Sequence, residues 1–66
     1  MHVTVNGDAL ALPEGLSVAA LLDHLGHERR GLAVAVNEEV VPRSTWDEAL
    51  LAAGDRVELL QAVRGG

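Results

Sequence analysis

The chain has 66 residues, ten acidic side chains against five arginines, no lysine and no cysteine, for a formal net charge of −5 at pH 7. These figures exclude a second core, a disulfide framework and a phosphate-tracking basic surface, and they argue against an enzyme, because a substrate pocket needs more wall than so small a core provides. Hydrophobic residues make up 48% of the chain and Trp46 is the only aromatic, so a domain that buries only about 60% of its unfolded surface must rely on packed Leu, Val and Ala.

In chain order, Val3 and Val5 alternate with His2 and Thr4, Asn6-Gly7 follows, and Leu10 and Leu12 then alternate with Ala9 and Ala11. This pattern predicts a β-hairpin, since Asn-Gly suits the left-handed dihedrals of a tight type I′ turn. Pro13-Glu14-Gly15 breaks the strand. Val18, Leu21, Leu22 and Leu25 fall on one helical face, with Ser17 as N-cap and Gly26 as the stop. That stripe should lie on the Val3, Val5, Leu10 and Leu12 face of the hairpin.

After the polar Glu28-Arg29-Arg30-Gly31, the run Leu32-Ala33-Val34-Ala35-Val36 reads as a mostly buried strand ended by Asn37. Glu38-Glu39 marks a turn and Val40-Val41-Pro42 a short edge strand, because proline cannot donate to a central ladder. Ser44 or Thr45 is expected to cap a short helical turn through Trp46–Leu50. Gly54-Asp55 is a further turn, and Arg56–Val63 is the last strand, leading straight into Arg64-Gly65-Gly66.

One main helix covering one face of a mixed sheet is the α+β solution open to a core this small. A long connection lets the final strand pair parallel to the first at the sheet centre, the ubiquitin-like β-grasp arrangement. The expected division is a β-grasp domain over 1–63 and a flexible tail over 64–66. Two terminal glycines lose much freedom on ordering and carry no side chain to pack. Such a tail can thread a narrow channel and present the Gly66 carboxylate to another protein's active site. From Val63 it reaches about 13 Å when extended.

Other residues have competing readings. Val57 and Leu59 share one face of the last strand; Glu58, Leu60 and Ala62 share the other, as a docking patch for a partner or as ordinary surface. A partner with a basic docking surface complements the net charge. His24 and His27 lack a third ligand and suit the dipole of a helix C-terminus better than a metal. Glu38-Glu39 and Asp47-Glu48 read as solvated turn residues, and Trp46 as a plug whose indole N–H needs a partner. The N-terminal Met1–Val5 has no secretion-signal pattern, and no apolar stretch approaches the roughly 20 residues that span a bilayer, so a cytoplasmic protein with no nucleic-acid or membrane partner is expected.

The Asn6-Gly7 hairpin, Leu21-Leu22 to Leu25-Gly26, Ala33-Val34-Ala35-Val36-Asn37-Glu38, Val41-Pro42-Arg43-Ser44 with Trp46, Gly54-Asp55-Arg56-Val57-Glu58 and the terminal Gly65-Gly66 together resemble the thiamine-biosynthesis sulfur carrier (ThiS) family over essentially the whole chain. Arg64 departs from the pattern and is similar to the Arg-Gly-Gly end of ubiquitin. The resemblance implies a carrier that is not an enzyme and binds no cofactor. A ThiF-like adenylating enzyme would spend ATP to activate Gly66, with Arg64 and Gly65 threading into its site. A sulfur donor such as a cysteine desulfurase would then supply the sulfur of a covalent thiocarboxylate at Gly66, which passes to a ThiG-like thiazole synthase. The alternatives are the same chemistry serving molybdopterin synthesis, a ubiquitin-like protein modifier, and a binding module with an incidental glycine tail.

Overall fold

A computed structural model describes residues 1–61. The tail division at residue 63 and the expected roles of Ala62, Arg64, Gly65 and Gly66 lie outside the described residues. Five strands, β1 (His2–Val5), β2 (Asp8–Ala11), β3 (Leu32–Val36), β4 (Glu39–Val40) and β5 (Arg56–Gln61), form one sheet in the order β2-β1-β5-β3-β4, and the helix α1 (Val18–Leu25) covers one face. This is the expected mixed β-grasp sheet. β5 runs parallel to β1, with Thr4 opposite Arg56 and Val5 opposite Val57, and antiparallel to β3, from Leu32 opposite Gln61 to Val36 opposite Val57.

The hairpin turns at Asn6 and Gly7, whose φ angles of 50° and 88° are the left-handed values that the dipeptide predicts. Met1 and Leu12 extend the β1–β2 ladder by exchanging backbone bonds of 2.6 and 2.7 Å. Val3 and Leu12 are buried, with Val5 and Leu10 packed against them. On α1, Val18, Ala19, Leu21 and Leu22 are buried and Leu25 packs at the margin, so the predicted stripe faces the core that Val3 and Leu12 of the hairpin share with Leu32, Val34, Val57 and Leu59. Gly26 at φ 75° closes the helix, and its amide is bonded back to the last turn.

The start of α1 is tied to the Trp46–Leu50 segment. The first amides of a helix have no intrahelical partner. Ser17 Oγ accepts from Ala20 N–H at 3.0 Å, as expected of an N-cap, but Val18 N–H donates to the Ala49 carbonyl at 2.8 Å and Ala19 N–H to the Trp46 carbonyl at 3.0 Å. The turn expected through Trp46–Leu50 is present but short: Glu48 N–H and Ala49 N–H both donate to the Thr45 carbonyl, at 3.0 and 2.8 Å, and the turn ends at Glu48. The regular element there is a short 3-10 turn at Arg43–Thr45, and the chain beyond it spends carbonyls on α1 and forms a bridge between Leu50 and Ser17. Thr45 begins the turn through its backbone carbonyl and not its side chain, whose hydroxyl donates to the Pro42 carbonyl at 2.8 Å.

Two further boundaries move. The turn after β3 is Asn37-Glu38, both at positive φ (52° and 72°), rather than Glu38-Glu39, and β4 is Glu39–Val40 rather than Val40–Pro42. The asparagine side chain provides the reason. Asn37 Oδ1 accepts from Arg56 N–H at 3.0 Å and Nδ2 donates to Asp55 at 3.0 Å, which locks the turn at Asn37. β3 alternates instead of being mostly buried: Leu32 and Val34 face the core while Ala33 is exposed, because only one face of the sheet carries a helix.

Trp46 is 2% exposed, and its indole N–H donates to the Val41 carbonyl at 2.9 Å. It is part of the core, which runs through Val3, Val18, Leu21, Leu22, Val34, Val57 and Trp46. Among the described residues no buried side-chain nitrogen or oxygen lacks a partner. In a domain this small each core residue is a large share of net stability. Leu21→Ala should cost about 2–5 kcal/mol, and urea titration followed by circular dichroism should find most of that variant unfolded at concentrations where the wild type is folded. Trp46→Phe keeps the ring burial but orphans the Val41 carbonyl, so its expected cost is smaller, about 1–3 kcal/mol in the same titration.

Candidate functional site: the open sheet face and the carboxyl terminus

Strand alternation splits β5 between two surfaces. Val57 and Leu59 point into the core, whereas Arg56, Glu58 and Leu60 point away from α1. The register sets their neighbours: Ala33 opposite Leu60, Ala35 opposite Glu58, and Thr4 opposite Arg56. Further out, Ala9 is opposite Thr4, Ala11 opposite His2, and Val40 opposite Ala35. The result is a low carpet of alanines from which Leu60, 72% exposed, and Val40, 77% exposed, project. A flat surface with two aliphatic projections favours contact with another protein over enclosure of a small molecule. Glu58 and Leu60, the docking residues expected from the sequence, lie together on it, and Leu60 stands near the last described residue of the strand that leads to Gly66.

Charged side chains pair at exposed positions on both sides of the sheet, Arg56 on the open side and Arg29 beside α1. Arg56 approaches Glu38 at 3.5 Å, and Arg29 approaches Asp23 at 3.5 Å and Asp47 at 3.9 Å. These are exposed pairs of little energetic weight. Glu38, Glu39, Asp47 and Glu48 are exposed, as are His24 and His27 at the end of α1.

Sequence reasoning missed a groove of about 310 Å³ between β4 and the Ala49–Leu51 segment. Val36, Val40, Val41 and Leu50 line it, and its polar residues are Asn37 and Glu39. Since Val36 pairs with the beginning of β5 and Leu32 with its end, the groove lies at the end of the sheet away from Gln61. Asn37 is committed to Asp55 and Arg56, so the groove has no free acid–base pair. The signal that could have found it is the pair Val40 and Leu50, apolar residues next to turn sequences.

A small β-grasp domain with one uncovered face and a central strand running towards a Gly-Gly terminus is the architecture of a carrier or modifier handled by other proteins. The ThiS family model matches residues 3–66. The chain is 33% identical over 66 residues to the sulfur carrier protein ThiS of Escherichia coli (strain K12), covering 100% of both. It is also 33% identical to a thiazole synthase of Paramagnetospirillum magneticum, of which it covers 20%. Among solved structures, the crystal structure of the thiamine biosynthesis protein ThiS from Geobacter metallireducens superposes with a TM-score of 0.87 at 35% identity, with 100% of each chain covered. The chain belongs to the ThiS family.

Placing a carboxylate at Leu60 tests the open face. Leu60→Asp should leave the fold intact, because the side chain is solvated, yet weaken binding to an adenylating partner by about tenfold or more if Leu60 fills a pocket there. Calorimetric titration checks this, and equal affinity for the two chains would remove Leu60 from the interface.

Proposed function

We propose that this protein is the sulfur carrier of a thiamine-biosynthesis system, acting in the cytoplasm as a cosubstrate of other enzymes rather than as an enzyme itself, with Gly66 as the site of modification. The observation that carries the reading is the family match, which runs through Gly66 and so includes the Gly-Gly end. The open alanine face and the lack of any thiol in the chain agree with it, since a carrier with no cysteine must hold sulfur at its terminus.

The chemistry follows from the weakness of a carboxylate as an electrophile. A ThiF-like enzyme transfers AMP from ATP to the Gly66 carboxylate, giving an acyl adenylate and releasing pyrophosphate. Hydrosulfide, supplied through a donor such as a cysteine desulfurase, attacks the acyl carbon and displaces AMP. The product is the thiocarboxylate of Gly66, and a proton is released. Its sulfur is a better nucleophile than carboxylate oxygen at neutral pH. Glycine leaves the acyl carbon unhindered, and Arg64 and Gly65 thread the approach. The chain binds no cofactor of its own in this scheme.

The recipient of the sulfur is a ThiG-like thiazole synthase. The similarity to a protein of that name, one fifth of whose length this chain covers, supports that partner. The solved relative is itself a thiamine biosynthesis protein, which favours this pathway over molybdopterin synthesis or protein modification.

Intact mass spectrometry after incubation with the adenylating enzyme, ATP and sulfide should show a gain equal to replacing one oxygen by sulfur. A chain lacking Gly66 should show none, and Gly66→Ala should gain it more slowly. An unmodified wild-type chain in the presence of demonstrably active enzyme would refute the proposal.

A further inference from the structure

Asn6 does more than turn the hairpin. β1 leaves its parallel partner early: Val5 is the last residue of the β1–β5 pairing, and Asn6 N–H donates to the Val57 carbonyl at 2.9 Å. Continuing the ladder would bring the Leu59 amide to a β1 carbonyl, but the positive φ of Asn6 and Gly7 swings the chain into β2. Asn6 Oδ1 takes that place and accepts from Leu59 N–H at 2.8 Å. A side-chain carboxamide thus substitutes for the missing strand.

This bond is the last that β5 makes on its β1 flank among the described residues, whereas on the other flank its pairing to β3 continues to Gln61. Leu59 is therefore held by its buried side chain and by Asn6, while its neighbours Glu58 and Leu60 pair with Ala35 and Ala33 of β3. Seven positions separate it from Gly66 in the sequence. Any rotation of β5 at this point alters the direction in which the rest of the chain departs.

We propose that Asn6, through its bond to Leu59, is a positioning residue that fixes the direction in which β5 delivers the carboxyl-terminal segment to the partner enzyme; the inference rests on the carrier reading above. Without the bond, the end of β5 frays from Gln61 back towards Val57 and samples several directions. The enzyme then binds only the fraction that points into its site, so apparent affinity falls while the chemistry of the bound complex is untouched.

The structure contains its own control. Asn37 makes the equivalent bond at the opposite end of β5, with Oδ1 accepting from Arg56 N–H at 3.0 Å. Asn6 and Asn37 have φ of 50° and 52°, so glycine at either position keeps the backbone and removes only the carboxamide. A Gly-Gly hairpin turn is itself well tolerated. Aspartate at position 6 keeps both the acceptor and the tolerance for left-handed φ.

The experiment compares full-length wild type, Asn6→Gly, Asn6→Asp and Asn37→Gly. It measures amide exchange at Leu59 by NMR, and KM and kcat for each chain as substrate in ATP–pyrophosphate exchange by the adenylating enzyme. Asn6→Gly should speed Leu59 exchange about tenfold and raise KM about 3- to 10-fold with kcat unchanged. Asn6→Asp should return both towards wild type, and Asn37→Gly should leave KM within about twofold despite a loss of stability at least as large, since it gives up the Asp55 bond as well. Equal rises in KM for the two glycine variants would reduce Asn6 to a stabilising residue and overturn the inference, as would unchanged Leu59 exchange in Asn6→Gly. A wild-type chain that the active enzyme does not turn over would instead overturn the carrier reading, and with it the positioning role.

Discussion

Everything in this domain is referenced to β5, the strand that pairs parallel to β1 on one flank and antiparallel to β3 on the other. A parallel pairing between the first and last strands forces the chain between them to leave the sheet and return, and α1, β3, β4 and the 3-10 turn all lie within that crossover. Backbone bonds from Thr4 to Asp55 and from Asn6 to Val57 join the two ends. Asparagine carboxamides complete the ladder where a turn has taken the neighbouring strand away, Asn6 at Leu59 and Asn37 at Arg56. Each β5 residue then has a fixed side, and the core and the open face are two surfaces of the same strand.

That division limits what the protein can do. One helix is enough to cover one face, and the core it encloses is filled by aliphatic side chains and Trp46, with no polar residue buried in it among the described residues. The opposite face carries alanines with Leu60 and Val40 standing above them, a shape suited to contact with another protein. In the proposed function the chemistry is at the end of the chain and needs no pocket within the domain.

Much of this was legible from local rules. The Asn6-Gly7 turn, the Ser17 cap, the α1 stripe, the Gly26 stop and the inward pair Val57 and Leu59 each depend on interactions within a few residues, and each is found where the pattern places it. The misses share a different cause. The Trp46–Leu50 turn ends at Glu48, short of the expected length, and the Trp46 and Ala49 carbonyls go to the amides of Ala19 and Val18, far earlier in the chain. The β3–β4 turn was misplaced by one residue because Asp55 and Arg56, distant in sequence, hold Asn37. The groove beside β4 is built from three separate segments, none of which signals it alone.

By itself the sequence determined the element order, the apolar faces, the Gly-Gly terminus and the membership of the ThiS family, because periodicity, turn chemistry and motif are properties of contiguous residues. Only the tertiary structure decided which carbonyls cap α1, that the alanines of β2 and β3 share one uncovered surface with Leu60, and that Asn6 holds Leu59. Those pairings join residues as many as 53 positions apart. A donor and an acceptor at that separation find each other only when the whole sheet is in register, and no local preference of either residue encodes the partner.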